Sequence, residues 1–133
     1  MVVCTIYLAA CLACLTGLTL PQDGCLDSFN VMDALLGRSS AAGRDHLVQQ
    51  DNGASGTYAL RVGDWKLHRY DRKRARNRVV ETKLANTQVP QYQLFHLKED
   101  PAEKTNVMQQ HPQVAERLVA QLKSIIESGR SRP

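Results

Sequence analysis

Two short runs in the middle of the chain, Tyr58-Ala59-Leu60-Arg61-Val62 and Trp65-Lys66-Leu67-His68-Arg69-Tyr70, are separated only by Gly63-Asp64. A two-residue link that begins with glycine between strand-forming runs predicts a tight hairpin, because the favoured hairpin turns need positive φ and glycine supplies it without strain. The turn then fixes which side chains share a face. Tyr58, Leu60 and Val62 fall together in the first arm, Trp65 and Leu67 in the second. One side of the hairpin is therefore apolar and needs a cover.

The stretch from Gln91 to Asn106 extends this hairpin and then ends the sheet. Tyr92, Leu94, Phe95 and Leu97 make a short apolar strand that adds to the hairpin as a small antiparallel sheet. The strand breaks at Lys98-Glu99 and meets Asp100-Pro101-Ala102-Glu103. That order predicts the start of a helical turn, with Asp100 as N-cap, Pro101 at the first helical position and Glu103 reaching back to free N–H groups. His111-Pro112 then opens a helix to about Ser128, stopped by Gly129. Val114, Leu118, Leu122, Ile125 and Ile126 recur at three- and four-residue steps, and this single stripe is expected to cover the apolar face of the sheet. The fold class expected is α+β.

The first twenty residues read differently. Met1 to Leu20 has the apolar length of a membrane span or a signal-peptide core, and Leu8-Ala9-Ala10-Cys11 spells a lipoprotein-type cleavage site. No lysine or arginine precedes the run, although export signals and membrane orientation both rely on such charge. A buried helix covered by other protein accounts for the run equally well, with Gly17 as its C-cap and Pro21 beyond it. All four cysteines (Cys4, Cys11, Cys14, Cys25) lie in the first 25 residues. No second CxxC completes a zinc site around Cys11 and Cys14, so they are expected to be small buried hydrophobes. Asn30 caps a short helix from Val31 to Leu36, which Gly37 ends. Ser39 to Arg44 is a loop, His46 to Val48 a strand, Asp51 to Gly56 a glycine-rich turn, and Val79 to Val89 a loop or edge strand.

The 133 residues, 43% hydrophobic and 23% charged, carry a net charge of +4, which is unevenly placed. Arg69 to Arg78 holds six basic residues and one acid, whereas a uniform nucleic-acid binder would spread its charge. This run is either a solvated loop or a contact surface for phosphate or sulfate. The histidines His46, His68, His96 and His111 form no HxH or HxxxH pair, so metal spacing is missing. His68 alternates away from the Trp65/Leu67 face beside the basic run, and it is the one candidate substrate-binding residue. No nucleophile elbow, phosphate loop or paired-carboxylate motif is present, so no catalytic residue and no metal ligand is assigned.

Several segments, in order, resemble the C-terminal end of the type I sulfatases, the arylsulfatase family. Leu94-Phe95-His96-Leu97 with Asp100-Pro101-Ala102-Glu103 and Asn106-Val107 resembles that family's LYDLxxDPxExxNL element. Ala59 to Leu67 is similar to its AIRxGxWKL element, and His111-Pro112 to the start of its closing helix. Upstream, Leu15-Thr16-Gly17, Leu20-Pro21, Asp27-Ser28-Phe29 and Ala34-Leu35-Leu36-Gly37 resemble its LTG, LP, DSF and ALLG run. Residues 4 to 17 resemble a helix of the large α/β domain, with Tyr7 where the pattern has Asp and Cys11 where it has Thr.

The resemblance implies two parts: residues 1–38 as a helical remnant of the sulfatase α/β domain, and 39–133 as the C-terminal subdomain of sheet plus helix. It also implies a function, sulfuric ester hydrolysis, performed with a formylglycine and a calcium ion. No cysteine here is followed by x-Pro-Ser-Arg, and the family's calcium ligands lie in its larger N-terminal part, so the chain alone is expected to be inactive and to hold neither cofactor. A sulfate ester is then a partner only in a full-length context, together with the missing sulfatase domain; neither nucleic acid nor membrane is expected. Sulfatases are often periplasmic, secreted or lysosomal, and no convincing signal peptide accompanies this sequence. Two rivals remain: an interaction module whose basic run 69–78 binds sulfated glycans or nucleic acid, and a protein tethered through residues 1–20.

Overall fold

A computed structural model of the chain describes residues 4–38, 43–50, 56–70 and 90–132. The expected glycine-rich turn after Asp51, the loop or edge strand of Val79 to Val89, and the basic run beyond Tyr70 lie outside the described residues, as does most of the loop from Ser39. The chain divides into two compact units, Met1–Leu47 with Lys123–Pro133, and Val48–Leu122.

In the first unit a short 3-10 turn (Thr5–Tyr7) leads into α1 (Leu8–Thr16). Gly17 closes α1 in the left-handed region at φ 72°, and Leu18 N–H bonds to Ala13 O at 2.8 Å, the glycine-terminated helix end expected from sequence. No described helix is long and apolar enough to cross a membrane. The start of α1 is capped from a distance, since Ala10 N–H donates to Ser28 Oγ at 3.0 Å. Asn30 Oδ1 accepts from Met32 N–H at 3.0 Å and starts α2 (Met32–Leu35), with Gly37 beyond its end at φ 65°. Tyr7, Cys11 and Val31 form the core, with Cys4, Phe29, Met32 and Leu47 against them. Cys11 behaves as the buried small side chain expected, and its thiol meets two backbone groups: it accepts from Val31 N–H at 3.4 Å and donates to Phe29 O at 3.9 Å. Thiols are weak donors and acceptors, so packing gives it most of its value here. Cys14 and Cys25, by contrast, are exposed.

Arg44 is the one buried cation among the described residues of this unit. Its guanidinium lies 3.9 Å from the Phe29 ring centroid and donates to Tyr7 Oη (3.1 Å), His46 Nε2 (2.7 Å) and Ser131 O (3.3 Å). Arginine only donates, so His46 Nε2 is the acceptor and Nδ1 carries the proton it offers to Asp45 Oδ1 at 2.7 Å. Burial acts to raise the Asp45 pKa, but hydrogen bonds from the His46 ring and from the backbone outweigh it and hold the carboxyl below its ordinary value.

The sheet has four strands in the order β1-β2-β3-β4: β1 (His46–Gln50), β2 (Tyr58–Val62), β3 (Trp65–Arg69) and β4 (Tyr92–His96). The hairpin forms as expected, antiparallel, with Val62 opposite Trp65 and Leu60 opposite Leu67. Gly63 takes φ 58° while Asp64 keeps the ordinary sign, the type II′ pattern that only the first of the two positions needs glycine to reach. β4 pairs antiparallel to β3, placing Leu94 beside Leu67. Leu60, Leu67 and Leu94 therefore stand abreast on three strands, all without solvent exposure.

The helix expected downstream is α3 (Pro112–Ser128), and Gly129 stops it at φ 65°. Ala115, Leu118 and Leu122 are its buried residues; Val114, Ile125 and Ile126 are half-buried, whereas Glu116, Arg117, Lys123 and Glu127 are exposed. The class is α+β, with a four-stranded sheet where hairpin and added strand accounted for three.

Candidate functional site

The segment after β4 departs from the helical turn read in the sequence. Residues 100–103 form a β-turn closed by Glu103 N–H to Asp100 O at 3.1 Å, and Glu103 sits in the left-handed region at φ 54°. Asp100 does not cap a helix; its Oδ2 accepts from Thr105 N–H at 2.7 Å. The local capping signal is overridden because Asp100, Glu103 and Asn106 each have a partner on the sheet or the loop itself. A non-glycine residue held at positive φ needs surrounding contacts to keep it there, since the conformation costs on the order of 1–3 kcal/mol.

Those contacts are specific. Glu103 Oε1 accepts from Lys66 Nζ at 2.7 Å, and Oε2 lies 2.7 Å from His68 Nε2. Lys66 and His68 are two apart in β3, so alternation puts both on the same face. Two positions further, Tyr70 Oη lies 3.1 Å from His68 Nδ1, and the edge of Phe95 approaches the imidazole with ring centroids 5.3 Å apart. An ionised Glu103 can only accept, which puts the His68 proton on Nε2 and leaves Nδ1 to accept from the Tyr70 hydroxyl. The Nε2 contact is a close polar approach off the line of an ideal hydrogen bond, and Nε2 has no other partner. Lys66, His68, Tyr70 and Glu103 thus form one polar knot on the face of β3.

Asn106 makes the second attachment. Its Oδ1 accepts from Leu94 N–H and from Met108 N–H, both at 3.1 Å, while Val107 N–H donates to Leu94 O at 2.9 Å. Among the described strands β4 lies at the edge of the sheet, and this loop supplies partners to its outward backbone groups. The segment from Asp100 to Val107 is therefore clamped twice, by Glu103 to β3 and by Asn106 to β4.

His68 side-chain exposure is 20%, with both ring nitrogens engaged, so it meets a ligand only by giving up Tyr70 or Glu103. The other histidines are dispersed. His96 and His111 pack edge-on against Trp65, at 4.5 and 4.8 Å between centroids, and His46 belongs to the Arg44 group. Among the described residues no three His, Cys, Asp or Glu side chains come together as a metal ion would require. Arg69 donates to Gly56 O at 2.9 Å and lies 5.9 Å from the Tyr58 ring centroid, whereas the rest of the basic run is outside the described residues.

Burial lowers the His68 pKa, the Lys66 ammonium lowers it further, and Glu103 offsets only part of this. A histidine whose folded pKa is depressed contributes stability above its unfolded value of about 6.5, and that contribution is lost as pH falls through the window below it. The wild-type chain should therefore lose more stability between pH 7.5 and 5.5 than His68→Gln does, as read from urea midpoints at the two pH values. Equal losses would contradict the assignment. Burial, with Glu103 second, raises the Tyr70 pKa, so that stabilisation holds up to about pH 10 and disappears above it.

The four-stranded sheet, the C-terminal helix and the N-terminal helices make an α+β arrangement that matches the C-terminal region of a sulfatase. The chain is 35% identical over 123 residues to the N-acetylgalactosamine-6-O-sulfatase of Bacteroides thetaiotaomicron, an alignment that takes in 92% of the chain and 22% of that protein. A solved structure from work on the metabolism of multiple glycosaminoglycans by the same bacterium has a TM-score of 0.74 and 34% identity, covering 90% of this chain and 24% of that one. The chain thus spans about a quarter of the length of these relatives, in their C-terminal part. No protein-family model matches it.

The turn motif was visible in the sequence, but its partners were not. Lys66 and Glu103 are 37 residues apart, and only the pairing of β3 with β4 brings them together.

Proposed function

We propose that this chain supplies the C-terminal subdomain of a sulfuric ester hydrolase and works only together with the larger portion that carries the formylglycine and calcium sites. The observation that supports this most strongly is the 35% identity over 92% of the chain to a sulfatase, accompanied by the same fold. Given that relative's name, the substrate class is a sulfate ester on an amino sugar, of the kind found in glycosaminoglycans. The described residues do not fit either cofactor: no cysteine lies in a C-x-P-S-R sequence, and no described cluster has the donors for a metal. The chain's part is mainly architectural, and His68 is its candidate contact with substrate, reached by exchanging the Tyr70 hydroxyl for a sugar hydroxyl that donates to Nδ1.

The purified 133-residue chain should release no sulfate above a blank from 6-O-sulfated N-acetylgalactosamine or from an aryl sulfate. Turnover by the chain alone would overturn the proposal that the chemistry lies elsewhere.

A further inference from the structure

We propose, resting on His68 as the contact with substrate, that Glu103 positions the His68 proton and Tyr70 holds the place of the ligand. The site then takes a sugar hydroxyl and turns away sulfate or carboxylate oxygen. Glu103 Oε2 faces Nε2 at 2.7 Å, while Lys66 Nζ donates to the other oxygen, Oε1, also at 2.7 Å. A carboxylate has an acceptor for each, so Nε2 carries the imidazole proton and Nδ1 is left as a lone pair. Tyr70 Oη lies 3.1 Å from that lone pair and supplies its proton.

Two features separate this arrangement from an ordinary surface ion pair. Glu103 is held at φ 54°, and backbone kept in so sparsely populated a region gathers at functional positions. Tyr70 is fixed at its backbone, N–H to Gln91 O at 2.8 Å, so its ring can swing aside without unpairing the strands. A phenol and a sugar hydroxyl offer the same O–H donor, and one replaces the other. Ionised sulfate and carboxylate oxygens only accept, and against Nδ1 they would set lone pair on lone pair.

The surrounding charges leave this preference in place. Lys66 is already paired with Glu103. Arg61, opposite Lys66 on β2, turns its Nε to Gly63 O at 3.2 Å, and on the β4 side Phe95 presents an apolar ring edge. Burial first, and the Lys66 ammonium second, lower the His68 pKa, which keeps the imidazole neutral at neutral pH.

The test reads the imidazole nitrogen shifts of His68 by NMR in the 133-residue chain at neutral pH. Wild type should show the Nε2–H form. In Glu103→Gln the side chain keeps one acceptor oxygen, and Lys66, which can only donate, claims it. The amide N–H then faces Nε2, so the proton should move to Nδ1 while circular dichroism stays as in wild type. Tyr70→Phe removes the resident donor. It should bind N-acetylgalactosamine about 5-fold more tightly than wild type, the worth of one hydrogen bond, while inorganic sulfate at matched ionic strength gains nothing. As the pH falls through the His68 transition, Nδ1 becomes a donor, and sulfate should gain as N-acetylgalactosamine loses.

An Nδ1–H form in wild type, or an Nε2–H form that persists in folded Glu103→Gln, would overturn the positioning role. Sulfate bound more tightly than N-acetylgalactosamine at neutral pH would overturn the choice of ligand. So would N-acetylgalactosamine that leaves the His68 signals of Tyr70→Phe unmoved. If Glu103→Gln does not fold, the wild-type proton position and the Tyr70→Phe titrations decide. The two claims fail separately: a proton that moves as expected while neither probe binds sinks His68 as a substrate contact and leaves Glu103 its role, whereas a proton that stays sinks that role whatever binds.

Discussion

Replacing Leu67 with alanine is expected to lower the stability of the chain by about 2–5 kcal/mol, the range for truncating a fully buried leucine. Leu67 is flanked on β2 by Leu60 and on β4 by Leu94, and none of the three is exposed. Both neighbours are held by backbone pairing, so the space left by the missing atoms cannot be closed by a small shift of one strand. Domains of this size are stable by only about 5–15 kcal/mol, so the variant should approach the threshold of folding. Urea denaturation followed by tryptophan fluorescence would measure it directly, since Trp65 lies on the same strand. A midpoint shift worth less than about 1 kcal/mol would mean that the three leucines do not form the centre of the sheet's core.

The second large effect is expected at Glu103. Glu103→Gln removes the charge that Lys66 and His68 share, and hydrogen bonds to charged groups contribute about 1.5–3 kcal/mol each when partly shielded from water. The side chains of Lys66, His68 and Glu103 are 18, 20 and 26% exposed, deep enough for the loss to register but open enough that water recovers part of it. A loss of about 1–3 kcal/mol is therefore expected. The change also has a signature that loss of packing lacks. Glu103 is the group that raises the His68 pKa, so the variant should titrate His68 at lower pH than wild type, by NMR of the imidazole. An unchanged or higher value would show that the carboxylate does not act on His68.

How the sequence announced this structure depends on how far apart the interacting residues lie. The hairpin at Gly63-Asp64, the glycine stops at Gly17, Gly37 and Gly129, and the α3 stripe were all legible, because each rests on residues close together in the chain. The turn at Asp100 was recognised as a boundary but not in its true form. Asp-Pro-x-Glu is the local spelling of a helix start, and nothing within it reveals that Glu103 will be drawn to β3 or that Asn106 will close the edge of β4. His68 was picked out because strand alternation turns it away from the Trp65/Leu67 face, yet the surroundings of its two nitrogens depend on Tyr70 and on the distant turn. The apolar N-terminal run held three readings, a span, a signal-peptide core and a packed helix, for a physical reason: α1 buries one face in its own unit and presents leucines on the other, so it is apolar all round.

The central claim is that this chain can stand where a sulfatase has its C-terminal region. It is tested most directly by a chimera in which the 133 residues replace the corresponding part of the Bacteroides thetaiotaomicron N-acetylgalactosamine-6-O-sulfatase, with sulfate release from 6-O-sulfated N-acetylgalactosamine as the readout. A monodisperse chimera that releases sulfate, while the same enzyme truncated before the graft does not, is the predicted result. A well-folded chimera no more active than the truncated enzyme would contradict the account.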